Sequence, residues 1–266
     1  MSGAVKLPGS APVQAVRIVA SRPAASAEVV AEEVPVALVY NGISHAVMMA
    51  TPLDLEDFAL GFSLSEGIIA RPGELLDCEV GELADGVTVE LTITEARFQA
   101  LKERRRSLTG RTGCGLCGQD TLEQAIRPLA PLGKVVPVAA SEVSQAMRQL
   151  AAQQPLNAAT GAVHAAGWWR SGKMLVREDV GRHNALDKLI GATAREAERD
   201  GLLVISSRAS YEMVHKAASA GFGVLAAVSA PTALAVRLAE QAGLCLIGYA
   251  REDRMTVYSH PEHLLP

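Results

Sequence analysis

The chain has 266 residues, of which 49% are hydrophobic and 20% charged, and a formal net charge of −4. These proportions sit near the globular average of about 45–50% apolar and about 25% charged, so they exclude wholesale disorder and supply a buried core. A mildly acidic chain has no global attraction for nucleic acid or an anionic membrane. No apolar run approaches the ~20 residues that span a bilayer, and no basic stretch leads an apolar one at the N-terminus, so a soluble cytoplasmic protein is expected.

The first 25 residues are rich in Ala, Ser, Gly and Pro and predict a flexible tail. Asn41-Gly42 between Val34–Tyr40 and Ile43–Met49 predicts a hairpin, because a type I′ turn needs two residues tolerant of positive φ. Thr51-Pro52 predicts an N-cap and a first-turn proline for a helix over Leu53–Glu66, which Gly67 stops. Asp85-Gly86 predicts a second hairpin between Leu76–Val80 and Val87–Ile93, and a helix follows from Thr94 to about Leu108. Residues 26–132 thus read as an α+β domain that includes a cysteine loop at 110–119.

Residues 133–266 change rhythm. Ser141 is placed to cap a helix carrying Val143, Met147 and Leu150, and a second helix after Arg182 carries Leu186, Leu189 and Ile190. Then strands Leu202–Ser206, Val224–Val228, Leu244–Tyr249 and Met255–Ser259 alternate with helices Tyr211–Ala220 and Pro231–Ala242. Short links between them argue for βαβ crossovers and a largely parallel sheet, hence an α/β domain. Ligands of such sheets bind beyond the carboxyl ends of the strands. Those ends are Ser206-Ser207-Arg208, Ser229-Ala230-Pro231-Thr232 and Tyr249-Ala250-Arg251. Hydroxyls, arginines and helix starts on one rim suit a phosphate-bearing ligand; ordinary capping with solvated arginines accounts for the same pattern.

The four cysteines are Cys78, Cys114, Cys117 and Cys245. Cys78 and Cys245 stand in strand-like apolar surroundings and read as inert core residues. Cys114-Gly115-Leu116-Cys117 lies in a run with four glycines, which predicts a mobile loop. Lys102, Arg104, Arg105, Arg106 and Arg111 precede it, and nearby cations favour the thiolate. Three readings are open: half of a structural zinc site, a dithiol redox pair, or carriage of sulfur as a cysteine persulfide. Zinc sites are normally closed by a second ligand pair, and redox pairs open a helix after a strand; neither context is present.

His164 stands among small residues that permit close approach of a ligand, or it is a hydrogen-bonded core histidine. Glu178-Asp179-Val180-Gly181-Arg182-His183-Asn184 continues to Lys188 and concentrates polar side chains in one turn. Capping by Asp179 does not require Arg182, His183 and Asn184 together, which points to a buried polar network at a cleft.

Taken in order, Tyr40-Asn41-Gly42, Thr51–Gly67, Cys114–Gly118, Thr160–Ala166, Glu178–Gly191 and Arg208–Thr232 resemble the formate dehydrogenase accessory sulfurtransferase family, FdhD. The resemblance covers about Glu33 to Leu265. It implies a cytidine deaminase-like C-terminal α/β domain, a smaller N-terminal α+β domain and a homodimer. It implies a sulfur carrier that accepts sulfur from a cysteine desulfurase and passes it to the molybdenum bis-(molybdopterin guanine dinucleotide) cofactor, bound as substrate, ahead of formate dehydrogenase. Cys114 is then the persulfide carrier and Cys117 its partner. The cofactor-binding segment maps onto Tyr249, Ala250, Arg251, Glu252, Asp253 and Arg254, with Arg208, Arg182, His183 and His164 as further candidates. Family members often carry Pro-Gly where this chain has Glu252-Asp253, and Gly at Ser207. No permanently bound metal is expected. The rivals are a zinc-dependent deaminase-like hydrolase, whose H-x-E and P-C-x-x-C pattern the chain lacks, and a cofactor chaperone that makes no use of its cysteines.

Overall fold

The computed structural model describes residues 7–109, 129–196, 199–252 and 254–266. Strands β1 (Ser10–Val19) and β2 (Arg22–Ala31) pair antiparallel along their whole length, so the expected tail is a regular ribbon from residue 10 onward. Val13, Val16, Ile18, Val19, Val29 and Val30, all strong strand formers, outweigh the Ala, Ser and Pro around them. Ala20 and Ser21 close its turn at φ 48° and 62°.

The N-terminal unit is a four-stranded sheet in the order β4-β3-β6-β5. It is built from β3 (Val34–Tyr40), β4 (Ile43–Ala50), β5 (Leu75–Leu83) and β6 (Gly86–Ile93). Asn41 and Gly42 turn at φ 46° and 79°, as the hairpin requires. Val36, Leu38, Tyr40, Val89, Leu91 and Ile93 point to one face and are buried. They pack on Phe58 and Phe62 of α1 (Leu55–Ser65) and on Leu101 of α2 (Glu95–Thr109). The helix α1 starts two residues later than expected, and its N-cap is Asp54. Thr51 is buried elsewhere: its N–H donates to Asp179 and its hydroxyl accepts from the Val180 N–H.

After β7 (Val138–Ala139) come α3 (Ala140–Ala152) and the short α4 (Pro155–Thr160). Ser141 lies inside α3; the side chain of Glu142 reaches back to the Ala139 N–H instead. A six-stranded sheet follows in the order β13-β12-β11-β10-β8-β9. Its strands are β8 (His164–Arg170), β9 (Lys173–Asp179), β10 (Leu202–Ile205), β11 (Val224–Ala227), β12 (Cys245–Arg251) and β13 (Arg254–Ser259). Only the central trio β10, β11 and β12 is parallel; β8, β9 and β13 run antiparallel to their neighbours. Strand β14 (Leu264–Leu265) pairs with β7. One face of the large sheet carries α5 (Arg182–Ala192), α6 (Tyr211–Ser219) and α7 (Ala233–Ala242), through Leu186, Met213 and Leu238. The other carries α3 through Val143, Met147 and Leu150. Among the described residues, no helix is long and apolar enough to cross a membrane.

The two units join where α1 crosses α5. A Cβ on Gly61 would lie 1.7 Å from the Asp187 carbonyl oxygen, and one on Gly191 1.9 Å from that of Asp57. Only glycine at both points lets the backbones touch.

Candidate functional site

The strand ends expected to form a rim do meet. The Val228 N–H donates to the Ile205 carbonyl, the Thr232 N–H to Ala209 and the Tyr249 N–H to Ser229. Strand β8 starts at the same edge, because the Ala165 N–H donates to Ser206 Oγ at 2.8 Å and the Ser206 N–H to the Ala165 carbonyl. His164 therefore stands on the rim, about 14 Å along it from β12 at about 4.8 Å per strand. Burial, helped by the Arg182 charge, holds the half-buried His164 imidazole below its usual pKa, so it is neutral at pH 7.

At the far end of the rim the chain turns tightly. Arg251 and Arg254 are direct cross-strand partners, both exposed, on either side of Glu252, whose φ is 51°. Arg251 Nε donates to the Val228 carbonyl at 3.1 Å, which aims its guanidinium across β11. Like charges directly opposite one another repel, and an anion between them removes the penalty. Tyr249 is 43% exposed at φ 52°, while Ala250 is buried toward α3 and offers no side chain to a ligand. Arg208 is exposed where the chain leaves β10. Asp253, Cys114 and Cys117 lie outside the described residues.

The turn before α5 divides its side chains between two tasks. Asp179, Asn184, Asp187 and Lys188 are buried against the N-terminal unit. Asp179 Oδ1 accepts from the Gly181 N–H and from Asn184 Nδ2, which also donates to the Met49 carbonyl. Asp187 and Ser65 surround Lys216 Nζ at 2.8–3.0 Å, with Glu66 at 3.1 Å. Burial pulls the Lys216 ammonium down, but Asp187 and Glu66 outweigh it, and the lysine stays charged. This half of the motif holds the fold together.

Arg182 and His183 face the other way. His183 Nε2 lies 2.7 Å from Glu212 Oε2, off the line of a hydrogen bond. Burial lowers its pKa, and the opposing pull of Glu212 does not restore it. His183 lines a cavity of about 120 Å³ between the units, with Phe62, Glu66, Glu212, His215 and the Asp187–Lys216 pair, so the two halves of the motif meet there. A larger cleft of about 750 Å³ also reaches His215 and is lined by Ser65, Gly67, Leu129, Arg199 and Ser219. The cavity lies at the start of α6, beside the rim, and the cleft at its end. Sequence reasoning missed Glu212, His215 and Lys216; their spacing of three and four residues on one helix was the available signal.

The described residues flanking the cysteine segment lie by the cleft, at the opposite edge from the rim. Arg104 Nη1 of α2 donates to the Glu66 carbonyl at 3.0 Å. The Leu132 N–H donates to Ala242, the last residue of α7, just before β12 begins. The side chains of Arg105 and Arg106, and all of Arg111, lie outside the described residues. The one group of metal-capable side chains among the described residues, His260, Glu262 and His263, is also away from the rim, and His260 is hydrogen-bonded to the Glu240 carbonyl.

A two-unit α/β protein with an anion-suited rim at one edge and a thiol-bearing segment tethered at the other has counterparts. Residues 31–265 match the FdhD/NarQ family, and the chain belongs to it. It is 58% identical over 243 residues to the sulfur carrier protein FdhD of Cupriavidus necator, covering 90% of this chain and 84% of the relative. The protein of the same name from Bordetella petrii is 53% identical, over 88% and 86% of the two chains. A crystal structure of a chain from Desulfotalea psychrophila, assigned as a formate dehydrogenase accessory protein, superposes with a TM-score of 0.76. Its sequence is 27% identical, covering 97% of this chain and 100% of that one.

Proposed function

We propose that this protein carries sulfur as a Cys114 persulfide from a cysteine desulfurase to the molybdenum bis-(molybdopterin guanine dinucleotide) cofactor, for use by formate dehydrogenase. The cofactor is a substrate in this reading, and the chain works as a pair of copies, as the family resemblance implies. The observation that carries it is the opposed Arg251–Arg254 pair on a rim of strand ends, the chemistry a pyrophosphate-linked nucleotide needs. Tyr249 is exposed enough to stack on a base, and neutral His164 beside Arg182 adds a donor without a second full charge.

In the loading step the Cys114 thiolate attacks the outer sulfur of the desulfurase persulfide. The donor S–S bond breaks, the donor cysteine leaves as a thiolate, and Cys114 holds the new S–S bond with its terminal sulfur anionic. Lys102 and Arg104 of α2 precede this thiol in the chain, and cations near a thiol favour its ionised form. Cys117, three residues on in the chain, resolves a persulfide that fails to move on or holds it transiently.

Delivery follows when the loaded loop swings to the cofactor held at the strand ends. The cleft and the smaller cavity share His215 and lie along α6 between the two units, which is one path toward that rim.

The test is mass spectrometry after incubation with a cysteine desulfurase and cysteine. A gain of one sulfur on the 110–119 segment, absent in Cys114→Ala, is expected. Full maturation of formate dehydrogenase in cells carrying only Cys114→Ala would overturn the reading.

A further inference from the structure

Beyond β13 the chain makes a single 3-10 turn over Pro261–His263, and both of its ends are fixed. Ser259, the last residue of β13, donates its hydroxyl to the Leu244 carbonyl at 2.7 Å and accepts from the Leu246 N–H at 3.2 Å. Leu264 and Leu265 pair with Val138 and Ala139, as β14 on β7. Between these anchors His260 takes φ 48° and ψ 56°. A residue other than glycine holds that left-handed conformation only where its surroundings impose it, and such positions cluster at functional sites.

The bend brings three side chains together. One nitrogen or oxygen from each of His260, Glu262 and His263 lies within 4.8 Å of the other two. His260 Nδ1 stands 2.8 Å from Glu262 Oε1, and the two imidazoles are stacked with 5.9 Å between centroids and 21° between planes. His260 Nε2 lies 3.0 Å from the Glu240 carbonyl of α7. A carbonyl only accepts, so Nε2 carries the proton, and the lone pair of neutral His260 is on Nδ1, the atom that faces Glu262. A hydrogen bond from the far ring nitrogen to a carbonyl is how proteins orient a histidine that binds a metal and fix its tautomer.

We propose that His260, Glu262 and His263 form an exchangeable binding site for a divalent transition ion of the zinc type. The ligands are His260 Nδ1, a Glu262 carboxylate oxygen and a ring nitrogen of His263, with a fourth position open to solvent. Two imidazoles and one carboxylate are a donor set that zinc accepts, with water completing the tetrahedron. Bonds of about 2.0–2.2 Å put tetrahedral ligands about 3.4 Å apart. The His260–Glu262 pair at 2.8 Å has to open slightly, and separations up to 4.8 Å have to close by at most about 1.4 Å. Glu262 is 61% exposed and free to adjust, while Glu240 holds His260 in place. An ion pair alone accounts for His260 and Glu262 but gives His263 no part. The bound ion would tie the C-terminal strands to the end of α7, where Ala242 accepts from the Leu132 N–H.

Calorimetric titration of the full chain with zinc at pH 7.5 tests the site, with Cys114 and Cys117 blocked by iodoacetamide so that thiols cannot take the ion. One zinc per chain at micromolar affinity is expected, with a higher thermal midpoint in its presence. His260→Asn keeps a residue that tolerates the left-handed backbone, and His263→Ala removes a ligand from a half-buried position. Each should weaken binding by at least the roughly 10–100-fold that loss of an orienting partner alone costs, with an unchanged circular dichroism spectrum. Glu262→Gln, which keeps the shape and removes the charge, should weaken it as well. Zinc binding only at millimolar levels, or an affinity indifferent to His263→Ala and His260→Asn, would leave a plain ion pair and overturn the site. The thiols being blocked, neither result bears on sulfur carriage.

Discussion

Lys188 Nζ lies 2.7 Å from Asp179 Oδ2, and neither side chain has any exposed surface. The ammonium also donates to the Thr51 carbonyl at 3.0 Å, so one buried charge pair ties α5 to the strand–helix link of the N-terminal unit. Burial depresses the lysine pKa and Asp179 pulls it back. Removing one partner strands the other charge. Lys188→Met or Asp179→Asn should therefore cost about 3–5 kcal/mol, read as a fall in urea midpoint, while the double variant should recover part of the loss. Single variants as stable as the unmodified chain would show that water reaches this junction.

Gly61→Ala and Gly191→Ala test the helix crossing. In an exposed helix this change gains about 1 kcal/mol of propensity. Here the new methyl carbons would meet the Asp187 and Asp57 carbonyl oxygens at 1.7 and 1.9 Å. Backbone cannot move aside as a side chain would, so the helices must separate, at a cost of about 1–3 kcal/mol or more. The clash should outweigh the propensity gain at both positions in denaturant titrations, and the Arg177–Asp57 pair at 2.7 Å should loosen with it.

How much of this was legible depends on whether a residue's partners are near in sequence. Both hairpins and most helices followed from local rules, because Asn41-Gly42, Asp85-Gly86 and the apolar spacings carry their own partners. The parallel trio and its strand-end rim were legible for the same reason. Thr51 looked like a cap because nothing local says that its hydroxyl serves Val180, 129 residues away. The ribbon over residues 10–31 was hidden by its small residues, since pairing of two strands is a property neither shows alone. In the turn before α5 the polar network was foreseen, but its division was not. Asp179, Asn184 and Lys188 hold the two units, while His183 and Asp187 line the cavity between them.

The two described cysteines should be silent in labelling. Burial, then Glu56 and Asp77, pushes the Cys78 thiol up to about 11. Burial and Glu262 push Cys245 up to about 12. At pH 7.5 their thiolate fractions are then about one in three thousand and one in thirty thousand. Iodoacetamide at that pH should modify Cys114 and Cys117 before either of the others, read by peptide mass. Early labelling of Cys245 would mean that the large sheet opens far more often than its buried position allows.

Arg251 and Arg254 should account for most of the anion affinity of the rim. Replacing both with Ala should weaken binding of guanosine diphosphate, used as a probe for the nucleotide end of the cofactor, by about tenfold or more in calorimetry. It should raise stability slightly in the absence of ligand, because the cross-strand repulsion disappears. Unchanged affinity would move the nucleotide away from the β12–β13 turn.

His164 and His183 set the direction of the pH response. Burial depresses both, with the Arg182 charge adding to it. A histidine whose folded pKa lies below its unfolded value of about 6.5 binds its proton more readily when unfolded. Its contribution is therefore complete above pH 6.5 and is lost as pH falls through the folded value. Both act in the same sense, whereas His260, held above its usual pKa by the Glu240 carbonyl and Glu262, acts in the opposite one. The difference in urea stability between the unmodified chain and a variant with His164→Gln and His183→Gln should therefore shrink from pH 7 toward pH 5.5. A histidine proton resonance assigned to His164 that titrates above 6.5 would mean that the rim is more open to water than its half-buried position indicates, and that the imidazole meets its ligand as a cation.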